Sequence, residues 1–153
     1  MSARVTARPV EPGTREVVVG GVASDFAQEV TVGPHVLLAD EPVAFGGTDT
    51  GPNPYELLLA ALGACTSMTV SLYARRKEWP LEAVTVRLRH AKVHREDCEN
   101  CDRPDAKLDR IEREVELQGS LSAEQRDRLL EIANRCPVHR TLTSEIDIRT
   151  TLR

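Results

Sequence analysis

Four cysteines and four histidines are the residues of this 153-residue chain whose types and spacing could carry chemistry. Cys136 is followed by Pro137, and His139 stands three residues on. A proline at the first helical position makes Cys136 an N-cap, where backbone N–H groups and the helix dipole stabilise a thiolate. A side chain at the third helical position can reach back to its cap, so a Cys136–His139 contact would lower the thiol pKa further. The same residues also suit a plain weak cap beside a solvated histidine. Cys65 lies in an uncharged apolar run, and Leu58, Ala61, Leu62, Met68, Thr69 and Leu72 share its face at helical spacing. Such a cysteine is either a nucleophile or a small hydrophobe in a core.

The other pair is Cys98-Glu-Asn-Cys101. With His90 and His94 it reads His-x3-His-x3-Cys-x2-Cys, four N and S ligands that would close a tetrahedral zinc site. Glu96, Asp97, Glu99 and Asp102 surround the two thiols. They raise thiol pKa values and disfavour nucleophilic work, while welcoming a cation. A structural zinc, a reversible disulfide and an inert polar loop all remain open readings.

The elements that must position these residues follow from pattern and punctuation. Residues 1–45 read as strands, with Arg15–Val19, Glu29–Val32 and His35–Ala39 as the runs and Gly33-Pro34 as a hairpin turn. Three glycines and two prolines between Phe45 and Pro54 break the chain before a helix over 53–77, started by Asn53, Pro54 and Glu56. From Leu57 to Cys65 that helix is apolar all round, which predicts burial on every side. Gly63, costly in a helix interior by about 1 kcal/mol, suggests close approach of another backbone. Residues 81–118 form a strand pair around the Cys98–Cys101 loop, with Val84, Val86, Leu88 and His90 on one face and Ile111, Val115 and Leu117 on its counterpart. Ser122-Ala-Glu-Gln125 is a capping box opening a second helix to Asn134, and Ser144–Leu152 reads as a closing strand. The order is α+β in a single domain over 1–153, without the repeated βαβ units of a parallel sheet.

Composition narrows the function. The chain is 41% hydrophobic and 29% charged, which is globular, and its net charge of -4 disfavours a phosphate-tracking nucleic-acid binder. Aromatics make up only 3%, so a core of small aliphatics is expected to be completed by a second subunit. Leu57–Ala74 is long enough to span a bilayer, yet its Thr66, Ser67, Thr69 and Ser71 favour a helix inside a protein, with no membrane partner. No signal peptide is seen, and free cysteines point to a reducing, cytoplasmic compartment.

Two motifs then coincide. Asn53-Pro-Tyr-Glu-Leu-Leu-Leu-Ala-Ala-Leu-Gly-Ala-Cys65-Thr-Ser-Met68 resembles the first cysteine helix of the OsmC/Ohr family of osmotically inducible and organic hydroperoxide resistance proteins. Ala133-Asn-Arg-Cys136-Pro-Val-His139-Arg-Thr-Leu142 resembles its second cysteine motif. The resemblance implies an interleaved homodimer with central buried helices wrapped by antiparallel sheets. It also implies a thiol peroxidase for organic hydroperoxides, in which Cys65 attacks the peroxide, Cys136 resolves and an external dithiol regenerates the enzyme, with no cofactor required. In the family, the residue after Asn-Pro is a glutamate paired with an arginine beside the thiolate. Here Tyr55 holds that position and Glu56 follows, so Glu56 joins the implied catalytic set, supported by Tyr55 and His139. A non-catalytic redox- or metal-sensing domain that binds small ligands is the alternative.

Overall fold

The computed structural model describes residues 15–94 and 107–152, and the side chain of His94 lies outside that description. Contacts divide the chain into two compact units, Met1–Leu57 and Leu58–Arg153. The fold is α+β, with antiparallel sheets and three α-helices among the described residues.

In the first unit, alternating apolar residues form three antiparallel strands, β1 (Val17–Gly21), β2 (Gln28–Val32) and β3 (His35–Ala39), in that spatial order. Val32 pairs with His35 across Gly33-Pro34, and Gly33 takes the positive φ of +55° that the tight turn demands. In register across the sheet stand Val19, Val30 and Leu37. The glycine-rich segment after β3 is organised by one buried carboxylate. Asp40 accepts the backbone N–H of Glu41, Thr48 and Thr50 and both threonine hydroxyls, at 2.7–3.2 Å.

Helix α1 (Pro54–Arg76) begins at the end of this unit and runs into the next. Asn53 Oδ1 accepts the N–H of Glu56 at 2.9 Å, while Glu56 Oε2 accepts the N–H of Asn53 at 2.8 Å. That reciprocal cap fixes the start of the helix. α1 is long and apolar enough to cross a bilayer, with a mean hydropathy of 1.7 over its most apolar stretch, a test that the core helix of a protein passes equally.

In the second unit, β4 (Leu81–His94) and β5 (Lys107–Gly119) form a long antiparallel hairpin in which Val86 faces Val115 and His90 faces Ile111. Helix α2 (Ala123–Ala133) opens on the Ser122–Gln125 capping box expected from sequence. Helix α3 (Pro137–Leu142) follows, with Cys136 at its N-cap. The core is small and aliphatic: Val70 and Ala74 of α1 pack with Leu129, Ile132 and Ala133 of α2. Around it lie Tyr73, Trp79, Val84, Val115 and Leu117.

Three expectations are not met within the single chain. The α1 surface is not covered on every side: Leu62, Gly63, Thr66, Val70 and Ala74 are buried, whereas Leu58 and Leu72 are exposed and Met68 is 70% exposed. One chain has too little apolar material to enclose a 23-residue helix. Within the chain, the neighbour of Gly63 is a side chain, since a Cβ there would meet Leu88 Cδ1 of β4 at 2.8 Å. Residues 145–152 form no strand, and Ile148 is 82% exposed. Alternation of Ile146, Ile148 and Leu152 gives a segment strand character, but a strand also needs an edge to pair with.

Candidate functional site

The helical phase of α1 places Cys65 partly exposed and turns its neighbour Thr66 fully inward. The N-cap geometry of α3 brings Cys136, completely buried, against that same stretch. The Cys65 thiol is near enough to Cys136 to help lower its pKa, so two cysteines 71 positions apart lie near one another. Both are free thiols.

The surroundings of Cys136 are built for a thiolate. Its Sγ accepts the backbone N–H of His139 at 3.3 Å and lies 3.7 Å from Thr66 Oγ1. Arg113, on β5, donates from Nη1 to Thr66 Oγ1 at 2.8 Å and from Nη2 to Asn134 Oδ1 at 2.8 Å. Burial pushes the Cys136 thiol up. The His139 N–H, the Thr66 hydroxyl, the Cys65 thiol and the Arg113 charge together outweigh that, and its pKa falls below the ordinary cysteine value. The contact anticipated from the His139 ring is made by its backbone instead. Burial, then the charge of Arg113, lowers the imidazole pKa and favours the neutral ring.

A cleft of about 410 Å³ opens beside this cluster. Leu62, Ile111 and Leu142 supply its apolar lining, and Asp109, Arg113, Asn134, His139 and Thr143 its polar lining. Such a mixed lining suits a small molecule with both apolar and polar parts.

Arg113 is the residue that sequence reading missed. It occupies an inward phase of β5, between Ile111 and Val115, where alternation calls for an apolar side chain. A charge at a core-facing position was the available signal. Thr66 was visible only as a polar residue in an apolar helix, and Asn134 only as a helix end.

The other expected residues are placed differently. Glu56 and Tyr55 stand in the first turn of α1, where Glu56 serves the Asn53 cap and Tyr55 is half exposed. His90 faces inward on β4, 16% exposed at its side chain, with Nε2 2.8 Å from Asp109 Oδ1. Cys98, Cys101 and the His94 side chain lie outside the described residues. Among the described residues no three His, Cys, Asp or Glu side chains converge as a metal-binding group.

Comparison with known proteins fits this arrangement. The family model described as OsmC-like protein matches residues 47–151, well over half of the chain. Among solved structures, an OsmC-like protein from Mycoplasma pneumoniae superposes with a TM-score of 0.67 at 17% identity, covering 86% of this chain and 88% of that one. An organic hydroperoxide resistance protein from Elizabethkingia anophelis gives 0.64 at 18%, covering 88% and 91%. The organic hydroperoxide resistance protein OhrB of Bacillus subtilis gives 0.60 at 19%, covering 88% and 93%. At these identities the likeness is one of fold. No curated protein matches the chain significantly. The family match covers both cysteine helices and the hairpin that carries Arg113, and the chain belongs to the OsmC-like protein family.

Proposed function

We propose that this protein is a thiol peroxidase that reduces organic hydroperoxides with Cys65 and Cys136. The observation that carries the reading is the pair of neighbouring free thiols, one partly exposed and one buried beside an arginine. The hydroperoxide resistance proteins among its structural relatives support the choice of substrate.

Access assigns the two roles. A peroxide can touch only a sulfur that has surface, and Cys136 has none. Cys65 sulfur therefore attacks the peroxide, the O–O bond breaks, and the alkoxide leaves as an alcohol after taking a proton. Cys65 is left as a sulfenic acid. Cys136, already biased toward thiolate, attacks that sulfur, and the S–O bond breaks with hydroxide leaving as water. The Cys65–Cys136 disulfide is then reduced by an external dithiol, which becomes a disulfide in turn. Thiol sulfurs supply both electrons, so the cycle requires no cofactor. Glu56 enters as the carboxylate that fixes the first turn of the cysteine helix, with Tyr55 beside it, and His139 as the residue whose N–H holds Cys136.

The working unit is a cytoplasmic homodimer of one OsmC-like domain per chain, in which a second copy covers exposed Leu58, Met68 and Leu72 of α1. No nucleic acid or membrane is a partner. A structural zinc on His90, His94, Cys98 and Cys101 would be separate from the peroxide chemistry. Elemental analysis of wild type against Cys98→Ser tests it, and zinc unaffected by the substitution removes it.

The deciding experiment is consumption of an alkyl hydroperoxide by stoichiometric reduced protein, which bypasses the reductant. Wild type should consume about one equivalent and Cys65→Ser essentially none. Equal consumption by the two would overturn the reading.

A further inference from the structure

Thr66 Oγ1 has a single proton and three polar neighbours. Arg113 Nη1 donates to it at 2.8 Å, which occupies one lone pair. Its own proton points to the Leu62 carbonyl at 2.7 Å, one turn back along α1. The third neighbour is Cys136 Sγ at 3.7 Å. As a thiol, Cys136 donates its S–H to the remaining lone pair of Thr66. As a thiolate it can only accept, and it then competes with the Leu62 carbonyl for the one Thr66 proton.

A charged acceptor makes the stronger bond. The carbonyl gives up its claim cheaply, because the helical backbone N–H of Thr66 itself points to the same oxygen. Arg113 holds Thr66 Oγ1 in place whichever way its proton turns. Thr66 is completely buried, so no water competes.

We propose that Thr66 is the positioning residue of the resolving thiol: its hydroxyl turns from the Leu62 carbonyl to the Cys136 sulfur when that thiol ionises, holding the sulfur toward Cys65. The inference rests on the peroxidase reading for the word resolving, while the hydroxyl's effect on Cys136 can be measured without any peroxide. The groups that face Cys136 are the Cys65 thiol from α1, the Arg113 cation from β5 and the N–H of His139 from α3, whose ring favours the neutral form. Thr66 adds to them a hydroxyl, which can switch between donating and accepting.

The test is the thiolate absorbance of Cys136 against pH, which needs no access to the buried sulfur, in protein whose other three cysteines are serine and which carries Thr66→Val or Thr66→Ser. Valine keeps the shape and deletes the hydroxyl, and should raise the Cys136 titration midpoint by about one pKa unit, as expected for the loss of one hydrogen bond to a charged group. Serine should restore the parental profile. Thermal melts of the two variants separate a folding defect from an effect on the thiol. A valine profile superimposable on the parent, or a serine profile matching valine, would overturn the proposal. Stoichiometric peroxide consumption by otherwise wild-type protein is scored separately. Its absence would end the peroxidase reading, and the resolving role with it, while the titration shift would still establish the hydroxyl switch.

Discussion

Replacing Arg113 with methionine removes a charge from beside the site while keeping the length of the side chain. The two contacts through Thr66, 2.8 and 3.7 Å, place a guanidinium nitrogen no more than about 6.5 Å from Cys136 Sγ. At that separation a unit charge stabilises a thiolate by about 2.5 kcal/mol for an effective dielectric of 20, and by ~0.6 kcal/mol in bulk water. Because about 1.4 kcal/mol corresponds to one pKa unit, Arg113→Met should raise the Cys136 pKa by between roughly half a unit and two units. Arg113→Lys keeps the charge but loses the fork that holds Thr66 and Asn134 together, and should fall between the two. The assay is the thiolate absorbance of Cys136 against pH in a background where the other three cysteines are serine. A titration midpoint that does not move in Arg113→Met would refute the electrostatic account. A midpoint moving downward would refute it more directly, since no loss of a cation lowers a thiol pKa.

Leu129 is completely buried between the helices, so Leu129→Ala should cost about 2–5 kcal/mol of stability, read as a lower urea midpoint. The Thr48 hydroxyl, with N–H groups of Thr50 and Glu41, holds the Asp40 carboxyl well below the usual carboxylate range. A depressed folded-state pKa contributes stability that is complete above the unfolded value of about 4 and is lost as pH falls below it. Denaturation midpoints measured down the acid range should therefore decline more steeply for wild type than for Asp40→Asn, and equal slopes would remove Asp40 from the explanation. Light scattering at micromolar concentration should find a dimer, and Met68→Glu, at an exposed apolar position of α1, should shift it toward monomer.

The elements were legible where local chemistry decides them. Ser122 and Gln125 announce a capping box, Gly33-Pro34 a tight turn, and Pro137 a helix start, and each is found where its residues stand. The meeting of Cys65 and Cys136 was not legible from spacing, because it depends on how α3 returns to α1, and only the family resemblance implied it. Arg113 escaped because its neighbours Arg110, Glu112, Glu114 and Glu116 make β5 look like a strand whose charges all point outward. The closing strand failed for the opposite reason. Its pattern is sound, but pattern supplies no partner. Likewise the apolar circumference of α1 was read correctly as sequence, while what covers its exposed side is a matter of assembly rather than of one chain.

Cys136 is at once the cap of α3 and one of the two thiols, and this ties a helix to an electron count. Its sulfur accepts the His139 N–H most strongly as an anion. Once bonded to Cys65 it is a neutral disulfide sulfur, a poorer acceptor. A helix of six residues has little else to hold its first turn, and loss of a cap is worth about 1 kcal/mol. Oxidation should therefore loosen α3, which carries His139 and Leu142 into the wall of the cleft. The amide of His139 should exchange with solvent several-fold faster in the disulfide form than in the dithiol form. If the two thiols cycle as proposed, the disulfide form should offer a different shape from the dithiol form, and a reductant should distinguish the two by fit as well as by reactivity.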